Sequence, residues 1–157
     1  MKKSGFTVIE MLITLSILAI LLALSVPNFR NLISNSNMVS NTNAMIGAFN
    51  YARMEAIKRG STVNVDQIGG DWTEGIVVWA NTDAINAMSS DEVLRIWSAF
   101  DDASTVSSAQ STFSFNAVGG VNSSSVFEVC DNRTGEEGIQ VSILISGVII
   151  ADKVNCG

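Results

Sequence analysis

The chain of 157 residues contains no histidine. That removes the commonest general base and the commonest metal ligand from consideration. Cysteine is nearly absent too: Cys130 and Cys156 are the only two, too few for a four-cysteine zinc site. Cations are scarce, with 9 Lys and Arg against 15 Asp and Glu and a net charge of −6. An acidic surface repels phosphate backbones, which argues against non-specific nucleic-acid binding. Asp66, Asp71, Asp83 and Asp91 do not form the spaced loop that calcium requires. No serine or cysteine stands in a recognisable arrangement with a base, so no catalytic residue is assigned and no metal or cofactor is expected. There is one proline, Pro27.

What is present is one long apolar run, Phe6 to Val26. It holds about 21 residues, and at ~1.5 Å rise per residue it makes roughly 31 Å of helix, the thickness of a bilayer core. Glu10 is the one charged residue in it. A lone carboxylate in a membrane span costs about 2.5–3.5 kcal/mol or more, so Glu10 reads as a group awaiting a cation. Lys2 and Lys3 precede the run and hold that end on the cytoplasmic side. A secretory signal is one reading, with Ala23-Leu24-Ser25 as a cleavage triplet. The run is longer than such a signal needs, and Glu10 does not belong in one. A plain anchor leaves Glu10 unexplained.

Beyond the run, Pro27 is expected to kink the helix rather than end it. Phe29, Leu32, Ile33, Val39, Ile46, Phe49, Ala52, Ala56 and Ile57 recur at helical spacing. Ser34-Asn35-Ser36-Asn37 is a poor helix former where the helix is expected to fray. Gly60 after Lys58 and Arg59 is a stop signal. From Ser61 the period changes to two. Strands are expected at residues 62–65, 72–80, 93–97, 112–116, 126–130, 139–143 and 148–150, with turns at Ile68-Gly69-Gly70-Asp71, at Gly119-Gly120 and around Gly147. Residues 81–90 and 101–111 read as loops. The fold class is α+β, a long N-terminal helix packed on antiparallel sheet. In an exported domain the two cysteines read as a disulfide; two buried free thiols are the alternative. Trp72, Trp79 and Trp97 read as packing residues rather than a ligand platform, Arg53, Lys58 and Arg59 as a helix end or a helix–sheet ion pair, and Glu136-Glu137 as a charged turn.

Gly5-Phe6-Thr7-Val8-Ile9-Glu10-Met11-Leu12-Ile13 closely resembles the leader junction and N-terminal helix of type IV pilins and type II secretion pseudopilins. The resemblance implies cleavage after Gly5 by a prepilin peptidase and N-methylation of Phe6. It makes Glu10 the assembly glutamate, held for the new Phe6 amine of a neighbouring subunit. Phe6 and Glu10 are four apart and share one helical face; an unpaired charge in low dielectric is costly, so the pair can set axial register. Further on, Tyr51-Ala52-Arg53-Met54-Glu55-Ala56-Ile57, Trp72-Thr73-Glu74-Gly75, Phe113-Ser114-Phe115-Asn116 and the Cys130/Cys156 frame resemble minor pilins of the GspH/FimT/FimU group, FimU-like members most.

That resemblance implies a leader at 1–5, a transmembrane helix at 6–27, its amphipathic continuation at 28–60 and a β-rich pilin domain at 61–157. It also implies a place in the bacterial inner membrane with the domain in the periplasm, and then in the fibre tip. The partners would be other minor pilins and the major pilin. The implied role is priming of pilus assembly in support of twitching and adhesion. A GspH-like pseudopilin of type II secretion is the alternative, and a FimT-like DNA-uptake pilin a third. DNA-binding FimT members carry a Gly-Arg-x-Arg motif where this chain reads Ser146-Gly147-Val148-Ile149-Ile150, so direct nucleic-acid binding is not expected.

Overall fold

Thr7-Val8-Ile9-Glu10 opens a helix by a reciprocal cap. In a computed structural model that describes residues 6–80, 92–100, 104–133 and 135–156, Glu10 Oε2 accepts hydrogen bonds from the Thr7 backbone N–H (2.8 Å) and hydroxyl (2.9 Å). The Glu10 N–H donates back to Thr7 Oγ1 at 3.3 Å. This is a capping box, each side chain satisfying an amide left over at the first turn. Helix α1, Val8–Arg59, follows. It ends in a Schellman turn: Ser61 N–H donates to Ala56 O and Gly60 N–H to Ile57 O, both at 3.3 Å, with Gly60 at φ +64°.

The helix passes through position 27 without ending, as expected. It also passes through Ser34 to Asn37 as regular helix, where fraying was expected. Four residues of poor propensity cost about 3 kcal/mol at most relative to alanine. Propagation from helix already formed on either side avoids the unfavourable step of nucleating a new one.

The chain divides into two units, Met1–Ser36 and Asn37–Gly157. In the first, every side chain from Phe6 to Val26 is exposed. The second contains eight strands among the described residues: β1 Val63–Ile68, β2 Asp71–Ala80, β3 Glu92–Trp97, β4 Ser104–Ser108, β5 Thr112–Phe115, β6 Ser125–Asp131, β7 Glu137–Ile143 and β8 Ile149–Asn155. They form two antiparallel sheets, ordered β3-β2-β1-β5 and β4-β6-β7-β8. Register puts Phe115, Val63 and Ala80 in one row and Phe113, Val65 and Val78 in the next. Phe127 pairs with Val141, and Val129 with Ile139 and Val106.

These rows meet the helix at Met45, Ala48, Phe49, Ala52 and Ala56, all fully buried. Alanines at a spacing of four let the sheets approach closely, and Phe49 fills the centre. Its ring lies 5.3 Å from Phe113 and 5.8 Å from Trp72 in the first sheet, and 5.3 Å from Phe127 in the second. A buried hydrogen bond of 2.8 Å from Asn41 Nδ2 to Ser104 Oγ adds a polar tie between α1 and β4.

Two expectations need correction. Residues 104–108, within the stretch read as loop, are strand β4. The last strand runs to Asn155 rather than stopping at Ile150. Ser104-Thr105-Val106-Ser107-Ser108 has one apolar residue, so its strand character comes from pairing with β6 along its whole length. The expected loop at 81–90, and positions 101–103, lie outside the described residues.

Ion pairs fasten the periphery. Arg59 bridges Glu55 (2.9 Å) on its own helix and Glu92 (2.6 Å) at the start of β3. These bonds hold both carboxyls below their ordinary range and raise the guanidinium further. Asp131, at the end of β6, is paired with Arg133. Chiefly through that bond its carboxyl is held below its ordinary value of 3.8. A depressed folded-state value stabilises the fold at any pH above the unfolded value, and the gain disappears as pH falls through the folded one. Acid melting of the wild type below about pH 4 is therefore expected to be steeper than that of Asp131→Asn. Equal melting-temperature slopes between pH 5 and pH 2 would contradict this.

Candidate functional site

Glu10 is the one charged residue in the exposed apolar run from Phe6 to Val26. Both bonds from Thr7 fall on a single oxygen, Oε2. The capping box thus orients the carboxylate at the start of the helix without using its other oxygen in either bond. Thr7 was not singled out from the sequence as a partner of Glu10. The signal was available, since Thr-x-x-Glu ahead of an apolar run is the capping-box pattern. Phe6 is 79% exposed. Gly5, the expected cleavage residue, lies outside the described residues. Among the described residues one helix is long and apolar enough to cross a membrane, and it contains this stretch.

In the second unit Cys130 and Cys156 form a disulfide with 5.9 Å between Cα atoms. It ties the end of β6 to the chain just after β8. Gly138, on the intervening strand β7, passes beneath it: a Cβ there would sit 2.4 Å from Cys156 Sγ. Its role has no local sequence signal.

The three tryptophans do not converge. Trp72 is in the core and donates to Gln110 O at 2.9 Å. Trp79 donates to Asp66 Oδ2 at 2.7 Å, on the sheet face opposite the helix. Trp97 meets Tyr51 edge-to-face with ring centroids 5.7 Å apart, under the Arg95 guanidinium at 4.6 Å. Arg53 acts as a strut. Its Nε donates to Gly119 O at 3.1 Å and its Nη2 to Ser146 O at 3.5 Å, holding two neighbouring turns against α1. Gly147, at φ +76°, has Gly119 O 2.0 Å from where a Cβ would stand, so this close approach needs glycine.

Open polar clefts mark the surface, one of about 350 Å³ lined by Gln67, Trp72, Ser107 and Gln110 among others, one of about 310 Å³ beside the disulfide. Neither has the apolar lining of an ordinary small-molecule site. The turn Leu144–Val148 carries no arginine.

An apolar N-terminal helix capped by a lone glutamate, continuing into a helix packed on two antiparallel sheets, defines the pilin class of membrane-anchored assembly subunits. The family model described as "Type II transport protein GspH" matches residues 41–147, and that of the prokaryotic N-terminal methylation motif matches residues 1–26. The chain belongs to the GspH family of pilin-like proteins. Its fold is similar to that of the Pseudomonas aeruginosa type IV minor pilin FimU in two crystal forms. One aligns with TM-score 0.65 and 21% identity, covering 76% of this chain and 90% of that one. The other gives TM-score 0.58 and 23% identity over 75% and 91%. Compared with curated protein sequences, the chain has no significant match. Family and fold are those of a structural subunit that assembles with other pilins, and the apolar helix and methylation motif mark a membrane anchor carrying a globular domain.

Proposed function

We propose that the chain is a minor type IV pilin, cleaved after Gly5 and N-methylated at Phe6 by a prepilin peptidase. It is then held in the inner membrane with its globular domain in the periplasm until it enters the fibre. The observation that carries this reading is Glu10 in the exposed apolar helix. A carboxylate there is costly unless a cation meets it, and the Phe6 amine of an adjacent subunit is the cation that cleavage would create. With other minor pilins and the major pilin, the chain would prime assembly and occupy the tip, supporting twitching and adhesion. It performs no reaction of its own.

The test is direct. Glu10→Ala is expected to be cleaved and to reach the membrane at wild-type level, yet to fall about tenfold in sheared fibres, the equivalent of losing one modest buried charge pair. Gly5→Val is expected to leave the leader uncleaved, as seen in the intact mass. Normal recovery of Glu10→Ala in fibres would refute the reading.

The match to the GspH model favours a second reading, a minor pseudopilin of a type II secretion system. Deletion that abolishes secretion while sparing surface pili would select it.

A further inference from the structure

The β7–β8 hairpin tip and the adjoining face of its sheet carry a surface that folding does not require. Register places Val126, Ser142 and Ile150 in one row on the face turned away from the core. The two-residue period puts Leu144 and Val148 on the same side, and the hairpin joins them through a 2.9 Å bond from Leu144 N–H to Val148 O. All four aliphatic side chains are 42–45% exposed, and Ile145 at the tip is 67% exposed. Val118, on the neighbouring turn, is 86% exposed. The outward face of an antiparallel sheet is ordinarily polar, as it is here further along, where Glu128, Gln140 and Asp152 stand in register. Turn tips ordinarily carry Gly, Asn, Asp or Ser.

The patch is also rigid. Arg53 holds both turns by their carbonyls, Val121 N–H donates to Ile145 O at 3.0 Å, and Gly119 and Gly147 leave no room between the turns. A preorganised surface loses little entropy when covered.

Its size says what covers it. The five exposed aliphatic side chains of the hairpin and its outward sheet face present on the order of 300–500 Å², comparable with the largest apolar patch of an ordinary monomer. A stable free-standing interface needs about 800 Å² per partner. The patch is therefore too small to hold a partner from solution. It is large enough for one already held nearby, because tethering raises the effective concentration to the millimolar range. We infer that this face docks the globular domain of a different pilin subunit, one anchored beside this chain by its own N-terminal helix, through an apolar surface rimmed with cations that meet Glu128 and Asp152. The inference rests on the reading of the chain as a fibre subunit and names the surface by which it meets its neighbour.

The experiment uses the full chain in cells making its fibre. A photo-crosslinking residue is placed at Leu144 or Ile150, and at Thr105 as a control on the same sheet face. In parallel, Leu144→Asp/Val148→Asp is compared with wild type and with Glu10→Ala. Crosslinks are expected from 144 and 150, and not from 105, to a different subunit bearing a prepilin-type N-terminal helix. The double variant is expected at wild-type level in the membrane with its disulfide formed, but reduced at least about tenfold in sheared fibres, the effect of placing two carboxylates in an apolar contact. Crosslinks to a second copy of this chain, to a protein without such a helix, or to nothing would overturn the inference, as would normal recovery of the double variant. If Glu10→Ala is lost from fibres and the double variant is not, the docking surface is wrong and the fibre reading stands. If wild type is itself missing from fibres, both fall.

Discussion

Phe49→Ala is expected to destabilise the globular part by about 3–5 kcal/mol, the range seen when a fully buried phenylalanine is truncated. Phe49 lies near the upper end because nothing can collapse into its place. Its neighbours Phe113, Phe115 and Phe127 are themselves fully buried, and each is fixed on a strand by ladder hydrogen bonds. The ring meets Phe113 edge-on at 84° and Phe127 at 49°, both with centroids 5.3 Å apart. Each such pair adds about 0.5–1.5 kcal/mol beyond area burial. The side chain joins α1 to both sheets, so its loss loosens three elements together. Against a total stability of about 5–15 kcal/mol, the variant is expected to be largely unfolded at 37 °C or to melt far below wild type. Phe49→Leu, closer in volume, is expected to cost less than half as much. Urea unfolding of a fragment from Phe29 onward measures both, and a loss under 1 kcal/mol for alanine would show that the cluster is not the centre of the fold.

The second large effect is expected at Gly138. Alanine there would place Cβ 2.4 Å from Cys156 Sγ, 2.7 Å from Val129 O and 2.9 Å from Cys130 Sγ. Real Cβ contacts are not that short. The sulfurs cannot swing aside while bonded to each other, and Val129 O belongs to β6, which pairs with β7 at that level. Either the disulfide fails to close or the strands separate. Failure to close forfeits about 3–4 kcal/mol, as the chain-entropy model gives for a loop of this length; the cysteines are 26 positions apart. Gly138→Ala is thus expected to resemble Cys130→Ser/Cys156→Ser in stability and to show free thiols under non-denaturing alkylation. In the serine background the same glycine substitution should cost clearly less, because part of the clash is gone. A fully oxidised Gly138→Ala protein within 0.5 kcal/mol of wild type would refute the account.

The two variants divide what was legible in the sequence from what was not. Phe49 stood in the helical periodicity, and Phe113 and Phe115 in a strand alternation, so their burial could be expected from spacing alone. Gly138 stands among residues that give no hint of a disulfide passing over it. Its partners, 8 and 18 residues away, arrive only when β6, β7 and the end of the chain are side by side. β4 was missed for a similar reason. Ser104 to Ser108 offer little apolar pattern, and the strand exists because β6 supplies hydrogen bonds. The second half of β8 is largely exposed, so no alternation announces it. Arg53 reads as part of a basic helix end, yet its bonds go to Gly119 and Ser146, 66 and 93 positions away.

At the N-terminus the balance is reversed. By itself the sequence determined the anchor, its lone glutamate at Glu10, the change of period after Gly60 and the α+β class, because each depends on neighbours within a turn or two. The tertiary structure decided which faces remain open. Leu144, Val148, Ile150 and Val126 look in sequence like ordinary strand residues. Only the pairing of β6, β7 and β8 shows that they share the side turned from the core. Burial is a property of what packs across a sheet, and no local pattern specifies which of two apolar faces the helix will cover.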